Sequence, residues 1–277
     1  MNIPSRSSYT SNELTSRHLF VRMLGDICTT QGVPLDWSSE NWVVRLQKGT
    51  QIHLIYGYTF PINTAAVAGV LRDKAATYAL LAKANVPAVP HFLLRLNALR
   101  DAHTSAAALQ LPSLPLVLKP NMGQSGGFDV LRCESADELT AALRDLATRH
   151  QNLAVSPYIT IDREFRVVML ADKPLLVFEK IRASNEWRHN LRLGAIPHLI
   201  KNVKISDSHV VLARRAMHAT SAKLAAVDIA ETPDGYKIME INGGISLASF
   251  AAHSAAYEEA ARTTYATLIK TMFTTPN

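Results

Sequence analysis

The sequence of 277 residues lacks the features of secreted proteins, of membrane-spanning proteins and of proteins with a cysteine-bound structural metal. It has only two cysteines, Cys28 and Cys133, which lie far apart and match no metal-binding spacing; this favours free thiols in a reducing cytoplasm. No window of about 18 residues is both apolar and uncharged, and the first dozen residues contain no apolar signal core. We therefore expect a cytoplasmic protein that has no membrane partner.

Long runs of one charge are also missing. The chain carries 29 basic and 23 acidic residues, so its net charge of +6 favours anionic partners. There is no block of five or six like charges, no recognition-helix motif and no zinc-finger spacing, and the ten histidines show no metal-binding pattern. Nucleic acid is therefore not the expected partner, and the charge suits a nucleotide or a carboxylate metabolite equally well.

Hydrophobic residues make up 48% of the chain and charged residues 19%, as in a globular protein. Apolar spacing and turn residues predict an α+β fold with mixed layers and no internal repeat. The predicted helices are 13–31, 73–85, 102–110, 135–149, 208–226 and 254–272. The predicted strands are 42–47, 52–58, 86–95, 114–120, 128–133, 153–159, 164–170 and 174–181, followed by a strand pair within 227–241 that turns at 233–235.

A first motif that could carry chemistry is Lys119 at the end of an apolar strand, followed by the glycine-rich stretch 121–127. Glycines let backbone amides approach a phosphate closely, and a lysine adds a positive charge. The stretch matches neither the nucleotide P-loop nor the dinucleotide fingerprint. A glycine-rich hairpin with an exposed lysine is the structural alternative.

A second motif combines Asp228, Glu240 and Asn242. Because the turn at 233–235 lies between the two runs, we expect them to pair antiparallel and to bring Asp228 close to Glu240. Glu240 and Asn242 are two residues apart, so they share a strand face. Two carboxylates and an amide oxygen form a set suited to Mg²⁺. Solvent-exposed polar positions on an alternating strand are the alternative.

The third motif is cationic. Glu164 and Arg166 share one strand face, Lys180 and Arg182 share another, and Arg188 precedes Asn190. Arginine forks bind phosphate or carboxylate at two points. Charges that protect an edge strand from aggregation are the alternative.

Taken in order, these motifs resemble those of the ATP-grasp superfamily, and most closely its branch of ribosomal-protein glutamate ligases and related carboxylate–amine ligases. The resemblance covers residues 71 to about 272. Its motifs are Asp73-Lys74 with Val86-Pro-Ala-Val-Pro90, Leu118-Lys119-Pro120 with the glycine-rich stretch, Tyr158-Ile159 before Asp162-x-Glu164-x-Arg166, Asn190 ahead of Gly194-Ala195, and Val227-Asp228-Ile229 before Asp234-Gly235-Tyr236 and Glu240-Ile241-Asn242-Gly243.

The resemblance implies an α+β ATP-grasp fold in which two lobes clasp the nucleotide. The implied parts are a short N-terminal unit (1–70), an N-lobe with the glycine-rich loop (71–150) and a C-lobe with the metal site (151–277). The implied cofactor-binding residues are Lys74, Lys119, Gly123, Gln124, Ser125, Gly126, Gly127, Glu164 and the hinge Ser156, Pro157 and Tyr158. The implied metal ligands are Asp228, Glu240 and Asn242, and the implied catalytic residues are Arg166, Arg188 and Asn190.

The sequence departs from the family pattern at two places. The family's hinge often has a glutamate before the aromatic residue, where this chain has Pro157. The N-terminal segment that would help to hold the substrate is also short.

The resemblance implies an ATP-dependent carboxylate–amine ligase that forms an amide through an acyl phosphate. Its cofactors would be ATP and one or two Mg²⁺ ions, with Mn²⁺ as a substitute, and its substrates an amino acid or peptide. A homodimer is common among such relatives. We expect Glu240→Gln or Asp228→Asn to abolish Mg-ATP turnover and to leave the fold intact. The alternatives are a small-molecule kinase on the same fold and a basic, non-catalytic nucleic-acid-binding module.

Overall fold

The structure is a computed structural model that describes residues 11–96, 111–123 and 127–274, with side chains from residue 17 onward. The chain forms two compact units, one built from Met1–Ile62 with Gly244–Asn277 and the other from Asn63–Gly243. Among the described residues, none of the helices combines the length and the apolar character that a bilayer crossing requires.

The first unit joins the two ends of the sequence. Helix α1 (Ser11–Gln31) precedes the antiparallel strands β1 (Leu35–Ser38), β2 (Val43–Lys48) and β3 (Gln51–Tyr56), and the C-terminal part adds α6 (Ala248–Ala251) and α7 (Ala255–Thr274). Gly32 adopts a φ of +62° just after α1, a left-handed conformation that favours glycine, and ends the helix. The core includes Phe20, Phe60 and Tyr265, whose hydroxyl accepts from Leu247 N at 2.8 Å and donates to Ile245 O at 3.1 Å.

The second unit begins with α2 (Ala65–Val70) and α3 (Lys74–Lys83), followed by a four-stranded antiparallel sheet of order β4-β7-β5-β6. These strands are β4 (Phe92–Arg95), β5 (Leu116–Pro120), β6 (Leu131–Cys133) and β7 (Asn152–Pro157). Helix α4 (Ala136–Ala147) packs its leucines against this sheet. The Ser135 hydroxyl accepts from Glu138 N at 3.2 Å and caps this helix, which begins within one residue of its predicted start.

A five-stranded antiparallel sheet of order β10-β9-β8-β11-β12 completes this unit. Its strands are β8 (Arg163–Leu170), β9 (Lys173–Ile181), β10 (Ile196–Leu199), β11 (Leu224–Thr232) and β12 (Gly235–Asn242). A short 3₁₀ helix (Leu191–Leu193) follows β9, and α5 (Ser208–Ala219) packs against one face of the sheet. That face is apolar and includes Val167, Val227 and Ile241.

The predicted α+β class is confirmed, and most predicted elements lie within a few residues of the observed ones. The predicted helix 208–226 is wrong at its end, because α5 stops at Ala219 and Leu224 already begins β11. Strand β11 is buried along nearly its whole length, so its run of apolar residues reads like a buried helix. The patterns also missed β1, α2, β10 and α6, and the predicted helix 102–110 lies outside the described residues.

Candidate functional site

The face of the five-stranded sheet opposite α5 carries a row of charged side chains. Strand alternation places these residues on the face opposite Val167 and Val227, and antiparallel register sets Arg166 opposite Asp228 and Asp228 opposite Glu240. We call this set the charged face, and its members are Glu164, Arg166, Lys180, Asp228, Glu240 and Asn242.

A β-bulge in β12 is what brings the acids together. Next to the turn Thr232 pairs with Gly235, and farther from it Ile229 pairs with Ile238. If this register continued, Asp228 would lie opposite Met239. The register shifts between Asp228 and Ile229, and Asp228 pairs with Glu240 instead. Since directly opposed residues share a face, the extra Met239 moves Glu240 and Asn242 to the side of Asp228.

Asp228 is buried, and protein cations already hold its carboxylate. The Arg166 fork donates to both of its oxygens at 2.8 and 2.7 Å, and the Lys180 ammonium lies 3.0 Å from Oδ1. Burial alone would raise the pKa of Asp228, but the charges of Arg166 and Lys180 outweigh it and hold the pKa well below its usual range. Asn242 Nδ2 approaches Oδ2 at 3.4 Å, which places the amide beside the carboxylate.

Lys180 joins Asp228 to a second buried acid. Its ammonium lies 2.5 Å from Glu164 Oε1, and both side chains are almost fully buried. The sequence analysis paired Lys180 with Arg182 on one strand face, but it did not include Lys180 among the site residues. Lys180 could have been recognised from the cross-strand register between β8 and β9. The turn residues in the sequence do not predict that register.

Lys74 approaches the charged face from the start of α3. Its ammonium lies 3.3 Å from Glu240 Oε1, and only 10% of its side chain is exposed. Asp73 caps the helix by accepting from Ala76 N at 2.8 Å. Asn121, which directly follows β5 and its Lys119, accepts from Lys74 N at 3.2 Å and, through Oδ1, from Ala75 N at 3.1 Å. The start of the glycine-rich stretch is therefore tied to the helix that carries Lys74.

Lys119 is electrostatically part of the same site. The pKa of its ammonium is lowered to about 8, chiefly by burial and also by the charge of Lys74, while Glu240, Glu164 and Asp228 oppose the shift. Lys119 is half-buried, so an anion bound beside it would stabilise its charged form.

His91 is a buried residue that the sequence analysis treated as one more scattered histidine. Its Nδ1 lies 2.8 Å from the Val89 carbonyl oxygen, so Nδ1 carries the proton and Nε2 is an acceptor. Among the described residues Nε2 has no hydrogen-bond partner. The ring shares a cavity of about 10 Å³ with Lys74 and Glu240, and burial together with the charge of Lys119 lowers the pKa well below its usual range.

The predicted catalytic residues Arg188 and Asn190 lie in a separate cluster beside Gly127. Arg188 Nη1 donates to Gly127 O at 2.9 Å, and its Nε and Nη2 donate to the Glu186 carboxylate at 2.9 and 2.7 Å. Asn190 caps the 3₁₀ helix by accepting from Arg192 N at 2.9 Å. Gly127 has a φ of +79°, and an added Cβ would lie 3.2 Å from Asn190 Nδ2, so the close approach requires glycine.

The predicted hinge continues β7. Ser156 is buried and pairs with Val117, while Tyr158 N donates to Pro115 O at 2.9 Å. The Tyr158 ring lies under the Arg132 guanidinium at 3.9 Å. The backbone N–H of Tyr158 is therefore already bonded within the protein.

The structure brings Lys74, Glu164, Arg166, Asp228, Glu240 and Asn242 together and places Arg188, Asn190 and Gly127 in the second cluster. Gly123 adopts a left-handed φ of +83°, as a tight loop requires. Gln124, Ser125 and Gly126 lie outside the described residues. The sequence analysis included Asn121 in the glycine-rich stretch without giving it a role, and it missed Glu186 and His91 as parts of the site.

Comparison with known proteins identifies the family of the second unit. The family model described as the RimK-like ATP-grasp domain matches residues 71–259. The chain is 26% identical over 188 residues to the glutamate–LysW ligase ArgX of Sulfurisphaera tokodaii, covering 65% of this chain and 63% of that protein. It is 25% identical over 188 residues to a probable alpha-L-glutamate ligase of Mannheimia succiniciproducens, covering 67% of this chain and 60% of that protein. The chain thus spans less than two thirds of these relatives.

Solved structures agree on the fold. The D-alanine–D-alanine ligase of Bacillus anthracis superimposes with a TM-score of 0.56 and 18% identity, over 74% of this chain and 70% of that one. The structure of the same enzyme complexed with ATP gives a TM-score of 0.56 and 20% identity, over 74% of this chain and 68% of that one. The expected ATP-grasp fold is therefore confirmed.

Proposed function

Because this chain belongs to the RimK-like ATP-grasp domain family, we propose that it is an ATP-dependent carboxylate–amine ligase. The relatives whose names specify glutamate ligation support this proposal. The reaction would join a carboxylate to an amine as an amide and release ADP and phosphate.

The observation that carries the proposal is the charge balance around the charged face. Three carboxylates, those of Glu164, Asp228 and Glu240, meet four cations, Arg166, Lys180, Lys74 and Lys119. Buried ion pairs contribute little to stability because desolvation offsets their attraction, so stability does not explain this cluster. The surplus of positive charge suits a polyphosphate, and an enclosed set of fixed charges can stabilise phosphoryl transfer.

The residues present also fit Mg²⁺ by their chemistry. Among the described residues no three His, Cys, Asp or Glu side chains are grouped as a metal site. Asp228 and Glu240 nonetheless face one another in register, and the Asn242 amide lies beside Asp228, so two carboxylates and an amide are available. We propose that these three residues hold the magnesium ion, which when bound offsets the charge of the triphosphate.

In the proposed reaction an oxygen of the substrate carboxylate attacks the γ-phosphorus. The bond from that phosphorus to the bridging oxygen breaks, so ADP leaves and an acyl phosphate forms. The amine nitrogen then attacks the acyl carbon, the carbon–oxygen bond to phosphate breaks, and the nitrogen loses a proton. Lys74, Lys119 and Lys180 would neutralise the phosphates, and holding both reactants in line supplies much of the acceleration.

We assign Arg166 on the charged face and Arg188 in the second cluster, with Asn190 near Arg188, to the charge of the transferred phosphoryl group. Arginine suits this task because its planar fork matches phosphate geometry and stays charged. The Gly123–Gly127 stretch and the hinge Ser156–Tyr158 would contact the phosphates and the adenine. Glu164 would act within the nucleotide site through its contact with Lys180.

We propose glutamate as the first amine to test, because both relatives are named for it. We further propose a cytoplasmic location, which the two buried free cysteines support, because free thiols persist in a reducing compartment. A homodimer stays a prediction that light scattering can check.

An ADP-release screen across amino acids and dipeptides, followed by mass spectrometry of the product, tests the proposed function. We expect Glu240→Gln to lower ADP release at least about 100-fold, because it removes one of the two carboxylates that would hold the magnesium ion. Glu179→Gln is the matched control, since Glu179 forms a bidentate pair with Arg163 at 3.1 and 2.7 Å on the α5 side of the sheet. A phosphorylated product without released phosphate would show a kinase, and polynucleotide binding without ADP release would show a nucleic-acid-binding module.

A further inference from the structure

Glu186 lies in the segment between β9 and the 3₁₀ helix, and its carboxylate accepts four hydrogen bonds from the two residues that follow it. Oε1 accepts from Trp187 N at 2.9 Å, from Arg188 N at 3.0 Å and from Arg188 Nε at 2.9 Å. Oε2 accepts from Arg188 Nη2 at 2.7 Å. The carboxylate thus accepts hydrogen bonds from two backbone N–H groups and also forms a bidentate ion pair with the guanidinium.

The opposite side of the same guanidinium is also held. Arg188 Nη1 donates to Gly127 O at 2.9 Å and lies 3.4 Å from Val130 O. These contacts fix the plane of the guanidinium between Glu186 and the end of the glycine-rich stretch. About a quarter of the Arg188 side chain stays exposed, so it can still meet a ligand.

The carboxylate keeps its charge under all ordinary conditions. The side-chain hydrogen bond from Arg188 is the largest cause of a lowered pKa, and the pKa of Glu186 falls to about 2. The fork is therefore a charge-assisted contact that does not switch off near neutral pH.

We infer that Glu186 is a positioning residue that holds the Arg188 guanidinium in the orientation needed for phosphoryl transfer. The inference rests on the proposed function, which gives Arg188 its catalytic role. The competing explanation is structural, because Oε1 also caps the backbone of Trp187 and Arg188. Glutamine in place of Glu186 separates the two, since its amide oxygen can still cap the backbone but its amide nitrogen cannot accept from the arginine.

The experiment is a double-mutant cycle on ADP release with Glu186→Gln, Arg188→Ala and the combined variant. We expect Arg188→Ala to lower kcat at least about 100-fold and Glu186→Gln to lower it about 10-fold or more, with the KM for ATP and the melting temperature nearly unchanged. The combined variant should be no slower than Arg188→Ala alone, because Glu186 acts through Arg188. Glu186→Asp, which keeps the carboxylate, should recover part of the lost rate.

Glu179→Gln again serves as the control, because it removes one acid from an equally bidentate Arg–Glu pair on the α5 side. Its kcat should match that of the wild type. Full activity of Glu186→Gln beside an inactive Arg188→Ala would overturn the inference alone, as would a further loss in the combined variant. Full activity of Arg188→Ala would overturn the inference together with the catalytic role that the proposed function gives to Arg188.

Discussion

The two faces of the five-stranded sheet are built from the same strands and differ only in which alternate residues they present. The face toward α5 is largely apolar and packs Val167, Val227 and Ile241 against the helix. The charged face buries Glu164, Lys180 and Asp228, which form ion pairs with one another or with Arg166. The first face stabilises the fold by burying apolar area. The second costs desolvation for little stability, which points to function.

The register of β12 beyond the bulge at Met239 creates this division, so shifting that register by one residue should have the largest effect. If the bulge keeps a single extra residue, an alanine inserted after Met239 would turn Glu240 and Asn242 toward the apolar side and Ile241 toward the charged one. We expect the insertion variant to lose its cooperative unfolding transition, a loss on the order of 5 kcal/mol or more. Met239→Leu keeps the backbone bulge and should melt close to the wild type. Circular dichroism during heating compares the two variants, and a cooperative, active insertion variant would show that the register carries no function.

Asp228→Asn should have the next largest effect. The sequence analysis expected this variant to keep its fold, but Asp228 is buried and compensates both Arg166 and Lys180. Breaking a buried pair from one side leaves charge uncompensated and costs about 3–5 kcal/mol. Urea unfolding measures the loss, and Glu179→Gln should cost about 1 kcal/mol or less, because the Arg163 side of its pair is about half exposed. A loss as small as that of the control would mean that the charged face is solvated.

These two variants also show how much of the site the sequence could predict. The turn at 233–235 and the alternation of the strands correctly predicted that Asp228 pairs near Glu240. The bulge itself was not predictable, because Met239 is an ordinary apolar residue in an apolar run. The pairing of Lys180 with Glu164 was equally hidden, since a second register shift, between Val168 and Met169, sets β8 against β9.

Elsewhere in the chain, too, the sequence predicts features that depend on neighbouring residues and misses those that depend on distant ones. Asp73 and Ser135 begin helices and Gly32 ends one by local rules, and the predicted bounds at these positions are confirmed to within one residue. The end of α5 was missed because a strand buried on both faces and a buried helix share one apolar pattern. The packing of α7 with α1 joins residues more than 200 positions apart, which no local pattern reports.

A smaller effect should appear in the pH dependence of nucleotide binding. The pKa of Lys119 lies at about 8, below that of a free lysine, so its ammonium loses a proton as the pH rises through 8. ATP binds the protonated form better, and we expect its Kd to rise by up to about 10-fold between pH 7 and pH 9. Titration calorimetry at both pH values measures the change. Lys119→Met should bind more weakly at pH 7 and show a flatter profile; an unchanged profile would remove Lys119 from the nucleotide site.

The measurement that tests the central claim most directly is the equilibrium binding of ATP to Lys74→Met and to Lys237→Met at neutral pH. Lys74 meets Glu240 on the charged face, whereas Lys237 pairs with Asp234 at the exposed tip of the β11–β12 hairpin. If the charged face binds the triphosphate, Lys74→Met raises the Kd at least about 10-fold and Lys237→Met leaves it unchanged. Equal affinities in the two variants would contradict the assignment of this face to ATP.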